Sequence, residues 1–314
     1  EFLPAELFVN NQASLQGPAL PGWKLEPILP ALGDRTRDYI SRASKDGQPF
    51  FVYLPLTSPH TPLAVNDAWK GKSRLNLYAD FVMETDWSAG QVINAIDDAG
   101  IADNTIVIFT ADNGHSHYTG WQELVDAGHM PSGPYRGHKG DIWEGGHRVP
   151  LIVRWPGRIK ANSSSDQLVS LTDLFATCAD VVNTRLPLDG AEDSVSFLPS
   201  ALGLGDQLAR LPIVNHSNHG EFALRDGDWK LVIRNRGVLN QVRGQKRIVE
   251  LYHLGDDKAE TQDLSARHPE KVEQLRKKLD ALVIRGATRR LSDAMNDAAI
   301  DYAVTQPQRW AADQ

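Results

Sequence analysis

The apolar positions of the chain follow two rhythms. Between Tyr78 and Ala99 they recur at Phe81, Val82, Ala89, Val92, Ile93 and Ile96, a 3.6-residue stripe that predicts a helix. Asp34 to Ala43 has helical composition, and Gly47 suits the position just past a helix end. Pro49-Phe50-Phe51-Val52-Tyr53-Leu54, Asn104-Thr105-Ile106-Val107-Ile108-Phe109 and Val149-Pro150-Leu151-Ile152-Val153-Arg154-Trp155 are short, continuously apolar runs, the pattern of strands buried on both faces. Helix alternating with strand implies right-handed crossovers and a parallel sheet covered on both sides. A further helix is predicted over Leu171 to Val182, capped by Thr172 or Asp173.

The rhythm changes beyond residues 184–212, which are rich in Pro, Gly, Ser and Asp. Phe222-Ala223-Leu224-Arg225, Trp229-Lys230-Leu231-Val232-Ile233 and Ile248-Val249-Glu250-Leu251-Tyr252 read as an antiparallel meander. Pro269 at a helix start, followed by Val272, Leu275, Leu279, Leu282 and Val283, predicts one amphipathic helix to cover it. Residues 1–33, with Pro4, Pro18, Pro21, Pro27 and Pro30, read as irregular connecting chain. The expected organisation is an α/β core over residues 1–205 and a small α+β subdomain over residues 206–314.

Composition narrows the function classes. The chain has 314 residues, long enough for a large core, and 33 Lys+Arg against 40 Asp+Glu give a net charge of −7. That balance argues against a dedicated nucleic-acid binder, which needs a basic footprint. The apolar runs are too short to span a bilayer. Cys178 is the single cysteine, so no disulfide forms within the chain, and its apolar helix predicts a small buried hydrophobe with a raised pKa. The chain opens at Glu1 without an initiator Met or a targeting segment, which reads as a cut end.

In open parallel sheets ligands sit beyond the carboxyl ends of the strands. Two segments stand there: Thr57-Ser58-Pro59-His60-Thr61-Pro62, and Thr110-Ala111-Asp112-Asn113-Gly114-His115. Asp112 and Asn113 offer oxygen ligands of the kind hard cations take, although such triplets are also common turns. His60, stiffened by Pro59 and Pro62, suits an acid or hydrogen-bond donor, or a half-buried histidine bonded to a carbonyl. Tyr135 to Pro150 packs four glycines around cations, including Lys139, which suits close approach to an anion or a solvated basic loop. His115, His117, His129, His138 and His147 crowd the same region, but their spacing matches no helical or cysteine-assisted zinc set. His117, Tyr118, Trp121 and Trp143 are candidates for stacking on sugar rings.

Taken in order, these segments resemble the formylglycine-dependent sulfatases of the alkaline-phosphatase superfamily. The resemblance runs through Ser58-Pro59-His60-Thr61-Pro62, Thr110-Ala111-Asp112-Asn113-Gly114, Gly137-His138-Lys139-Gly140 and Glu144-Gly145-Gly146-His147-Arg148-Val149-Pro150, and covers about residues 34 to 270. It implies an alkaline-phosphatase-like α/β/α sandwich, incomplete here, followed by a small antiparallel sheet with a helix. By the resemblance, Asp112 and Asn113 serve one divalent cation, usually Ca²⁺, with Mg²⁺ the variant. The resemblance further implies that Lys139 holds a sulfate oxygen or faces the bridging oxygen, and that His60 contacts the sulfate near the leaving oxygen and gives the departing alcohol its proton. His115, Arg136 and His216 are expected to contact substrate, a sulfated small molecule or sulfated carbohydrate.

Export to the periplasm or outside the cell is likewise implied, and self-association stays open. The family's Cys/Ser-x-Pro/Ala-x-Arg signature and paired aspartates are missing; Ser41-Arg42-Ala43-Ser44-Lys45 ends in Lys and lies on a helix. The chain is therefore expected to be a C-terminal portion whose formylglycine lies in a preceding half, and to be inactive alone. A phosphoryl hydrolase of the same superfamily and a non-catalytic anion- or carbohydrate-binding module are the alternatives.

Overall fold

A computed structural model describes residues 6–9, 12–16, 22–187, 189–205, 211–218, 220–234 and 247–289. They form two compact units: the chain up to Ile108 with Ser116–Pro131 and Val153–Arg158, and Phe109–His115 with Ser132–Ile152 and the chain from Ile159 onward.

In the first unit, β1 (Glu6–Val9) and β2 (Gln12–Gln16) pair as an antiparallel hairpin, where the proline-rich sequence predicted irregular chain. Helix α1 (Ile28–Asp46) starts earlier than its composition suggested and stops at Gly47, whose φ of 66° is the left-handed conformation that glycine adopts without a Cβ clash. Helix α2 (Leu77–Asp98) is capped by Asn76, whose side chain accepts from the Ala79 amide, and it packs along α1. Its stripe is used in part: Phe81 joins Leu29 and Val65, and Ile96, with Ala95 that the stripe did not include, joins Ile40, while Val82 stays exposed.

The segment 49–54 departs from expectation. It lies outside any strand among the described residues, and Phe51 and Tyr53 are each 79% exposed. The reason is that a continuously apolar run becomes a strand only beside other strands, and none lies against it here.

Strand β3 (Val107–Thr110) is followed by the short helix α3 (Trp121–Asp126), by α4 (Glu144–His147) and by β4 (Leu151–Arg154). Strands β3 and β4 form a two-stranded sheet, in place of the broad sheet covered on both faces that the sequence predicted. Phe109 and Ile152 remain exposed on it.

The second unit continues with α5 (Asp173–Val181) and α6 (Leu198–Ala201). Then comes the meander of β5 (Ile213–His216), β6 (Phe222–Asp226), β7 (Trp229–Arg234) and β8 (Ile248–His253), in antiparallel order 5-6-7-8. Helix α7 (Pro269–Arg285) lays Leu275, Leu279 and Leu282 on Leu224, Leu231, Ile233 and Leu251, the one fully formed core layer read from sequence. The opposite face of the sheet buries Ala223, Val232 and Tyr252 against Ile142 and Trp143.

Asp280 on α7 is the poor fit in this layer. Burial raises its carboxyl pKa to about 6, with Glu273 adding to the rise and Arg276 opposing it. A pKa above the unfolded value means the folded chain holds this proton more tightly, so stability is lost as pH rises from about 4 through 6. Asp280→Asn is expected to match the parent at pH 4 and exceed it at pH 7, by less than about 1 kcal/mol because the group is half in solvent. Denaturant midpoints at the two pH values check this, and equal gains at both would refute it.

Candidate functional site

The second unit assembles most of the residues singled out from sequence, and backbone contact does the assembling. The loop after β3 turns at Asp112-Asn113-Gly114, and the Gly114 amide donates to the Gly146 carbonyl at 2.9 Å. One residue on, the His115 carbonyl accepts from the Lys139 amide at 2.8 Å. Two hydrogen bonds thus fasten the Asp112–Asn113 turn to the glycine-rich stretch that carries Lys139.

The approach is too close for any side chain: a Cβ on Gly114 would lie 1.8 Å from the Gly145 carbonyl oxygen. A Cβ on Gly145 would in turn lie 2.3 Å from the Gly137 carbonyl oxygen. These glycines serve the approach of one backbone to another. The Asn113 amide nitrogen donates to the Gly114 carbonyl at 3.2 Å, which leaves its oxygen as an acceptor. The loop after β5 joins the same cluster, since the Asn218 amide donates to the Gly140 carbonyl at 3.1 Å. His216, two residues earlier, sets its ring edge-on to Phe222 at 3.9 Å, and desolvation lowers its pKa.

Arg136 is turned into the protein's own framework. Its guanidinium lies 3.7 Å over the Trp143 ring and donates to the Glu260 carbonyl at 3.0 Å. His60 is carried by the other unit and is exposed. Its Nδ1 lies 2.6 Å from the Thr61 carbonyl; a carbonyl only accepts, so Nδ1 carries the proton and Nε2 is the nitrogen free to exchange one. The carbonyl contact expected of that histidine is present, but the ring is exposed rather than half-buried.

Beneath the glycine stretch lies a charge network that sequence reading missed. Lys230 of β7 is fully buried, with Nζ 3.0 Å from Glu144 Oε1 and 2.8 Å from Glu260 Oε1. Arg225 donates to Glu144 Oε2 at 2.7 Å, and the Glu144 amide donates to Glu260 Oε2, also at 2.7 Å. Burial alone would raise the pKa of Glu144; the His147 contact and the charges of Lys230 and Arg225 reverse this and hold it far below the carboxylate range. For Glu260 burial wins and its pKa is raised, with Lys230 opposing. Glu260 also sits at φ 52°, a left-handed conformation that costs a non-glycine residue. The signal was present in the sequence: a lysine inside Trp229-Lys230-Leu231-Val232-Ile233 needs a counter-ion if the run is buried.

Asp112 and Asn113 have the donor chemistry of a hard-cation site, but two oxygens do not close a shell of six to eight. Among the described residues, no three His, Cys, Asp or Glu side chains gather as a metal-binding group. The fit is that of a contributor to a shared oxygen shell.

The formylglycine signature finds no equivalent fit. Ser41 to Lys45 lies within α1, where the Ser44 hydroxyl donates to the Ser41 carbonyl. Cys178 is on α5, and although burial raises its thiol pKa as expected, the residue is exposed rather than buried in a core.

Fold and site together define an α/β scaffold in which the Asp112–Asn113 turn is fastened to the loop that carries Lys139. A sequence model described as Sulfatase matches residues 8–184. An N-acetylgalactosamine-6-O-sulfatase of Bacteroides thetaiotaomicron is 33% identical over 271 residues, covering 84% of this chain and 52% of that protein. Rat arylsulfatase G is 30% identical over 301 residues, covering 88% of this chain and 53% of the relative. Among solved structures, one from the metabolism of multiple glycosaminoglycans by Bacteroides thetaiotaomicron superposes with a TM-score of 0.76 at 32% identity, covering 84% of this chain and 56% of that one. The chain belongs to the sulfatase family. It spans about half the length of the curated relatives it matches.

Proposed function

We propose that this chain supplies the cation, sulfate and leaving-group side of an active centre that hydrolyses sulfate esters of carbohydrates, with the nucleophile provided by polypeptide it does not contain. The observation that carries this reading is the double lock of the Asp112–Asn113 turn onto the Lys139 loop. A carbohydrate ester is favoured because the relative of 33% identity is named for N-acetylgalactosamine 6-O-sulfate.

Asp112 and the amide oxygen of Asn113 contribute ligands to one divalent cation, Ca²⁺ rather than Mg²⁺, since carboxylate and amide oxygens in a loosely closed shell suit the larger ion. When bound, that ion offsets charge on the sulfate oxygens, and formylglycine supplies the attacking oxygen. Lys139 faces a sulfate oxygen as a point charge. As the S–O ester bond breaks, the protonated His60 ring gives its Nε2 proton to the departing alcohol oxygen, so no alkoxide is released. His115 and His216 line the substrate side, while Arg136, held by Trp143 and the Glu260 carbonyl, braces the glycine stretch from within. Export from the cytoplasm accompanies this role.

The test joins to Glu1 the segment of the Bacteroides relative that lies outside the matched 52% of its length. The 314-residue chain alone is expected to release no sulfate from 6-sulfated N-acetylgalactosamine, and the joined polypeptide to release it in a Ca²⁺-dependent way. In the joined form, Lys139→Ala and His60→Ala should each lower kcat by about 10²-fold or more. Turnover by the chain alone would remove the missing-nucleophile reading, and unchanged kcat in Lys139→Ala would remove its role.

A further inference from the structure

Helix α5 is amphipathic in the reverse sense. Its inward side carries Asp173, Ala176, Thr177 and Ala179, all buried and none of them large and apolar. Segment 194–197 satisfies this side: Ser194 Oγ accepts from the Ala176 amide at 2.8 Å, Asp173 Oδ1 from the Val195 amide at 2.9 Å, and Thr177 Oγ1 from the Phe197 amide at 3.1 Å. The large apolar side chains point the other way. Leu171, Phe175, Cys178 and Val182 follow the 4-3-4 spacing of a single stripe, and Leu171, Phe175 and Val182 are 37%, 59% and 70% exposed. A helix covered on one side only would turn these residues inward, so the stripe belongs to an interface that is open in this chain.

The first unit repeats the pattern independently. Phe50 packs edge-on to Tyr39 of α1 at 5.9 Å, while Phe51 and Tyr53 beside it stand in water at 79% exposure.

We propose that the stripe of Leu171, Phe175, Cys178 and Val182 is a docking surface, and that its occupant is the polypeptide segment that the relatives carry and this chain does not span. This rests on the reading that the active centre is completed by such a segment. Two arguments favour it over a second copy of the chain. The relative of 33% identity carries nearly as much polypeptide again as the matched 52%. Each unit also leaves its own apolar face, whereas a two-fold dimer requires one self-complementary patch.

Cys178 makes the surface readable, because it is the single cysteine of the chain and lies on the stripe. Maleimide labelling, followed by the mass of the peptide that carries Cys178, is compared between the chain alone and the polypeptide joined to the unmatched segment of the Bacteroides relative. The thiol should label freely in the chain alone and at least tenfold more slowly in the joined form. Phe175→Asp should leave the circular dichroism of the chain alone unchanged and restore fast labelling in the joined form. Equal labelling of chain and joined form overturns the proposal, as does concentration-dependent protection of the chain alone with a dimer mass, which would assign the surface to a second copy. Sulfate release by a joined form whose Cys178 still labels fast sinks this inference and leaves the functional reading standing. Protection without sulfate release does the reverse.

Discussion

Lys230→Met is expected to lower folding stability by about 3–5 kcal/mol, because it removes one member of a buried ionic cluster and leaves its partners without their charge. Lys230 is fully buried between Glu144 and Glu260, at 3.0 and 2.8 Å. Methionine fills much of the same volume, so the loss reports charge rather than a cavity. Glu144 keeps Arg225 at 2.7 Å, whereas among the described residues Lys230 is the cation paired with the Glu260 carboxylate.

Burial already raises the Glu260 pKa, and losing Lys230 raises it further. A carboxyl with a raised folded-state pKa favours the fold at low pH and opposes it as pH rises, so the variant should recover toward pH 4 relative to pH 7. Adding Glu260→Gln should return part of the loss at neutral pH. Urea unfolding of the three chains measures this. A loss below about 1 kcal/mol, or a deficit independent of pH, would show that the cluster is not held by Lys230.

Gly114→Ala has the next largest expected effect. The new Cβ would sit 1.8 Å from a backbone oxygen of Gly145, which no side-chain rotation relieves. Either the Gly114 to Gly146 hydrogen bond opens or the glycine stretch moves, at a cost of about 3 kcal/mol, the upper range for overpacking. The amides of Gly114 and Lys139 should lose hydrogen-exchange protection together, since both bind the two segments to each other. Gly128→Ala is the control: its φ is +82° with nothing within 4 Å, so only the backbone penalty of about 1 kcal/mol is expected. Equal losses in the two variants would mean that space at Gly114 is not the constraint.

Elements that carry their own period were legible in the sequence. The stripes of α2 and α7 and the strands β6, β7 and β8 lie where their residues predicted, because each buries a face against a neighbour close in the chain. Strand β5 was not read: Ile213 and Val214 end a Pro- and Gly-rich tract, and their partner is known only once β6 is in place. Pro49 to Leu54 was read as a strand because apolar continuity describes a strand among neighbours, and that company is lacking among the described residues.

The candidate site divides in the same way. Asp112 and Asn113 were found as residue types at a strand end and Lys139 as a cation among glycines, and their joining by backbone amides was invisible because main-chain hydrogen bonds leave little trace in residue identity. Arg136 was legible as a cation, but its engagement with Trp143 and Glu260 depends on residues far away in sequence.

The Lys230 bridge bears on how such chains can be inherited. Because β7 supplies the cation that neutralises Glu144, two residues from Gly146 of the lock, the meander is not a detachable module. A recombination event or stop codon that removed it would leave the Glu144 carboxylate without its buried cation, and the glycine stretch would lose its footing. Descendants are therefore constrained to keep or lose both pieces together, and exchange between relatives should favour breakpoints that leave Glu144, Lys230 and Glu260 from a single parent.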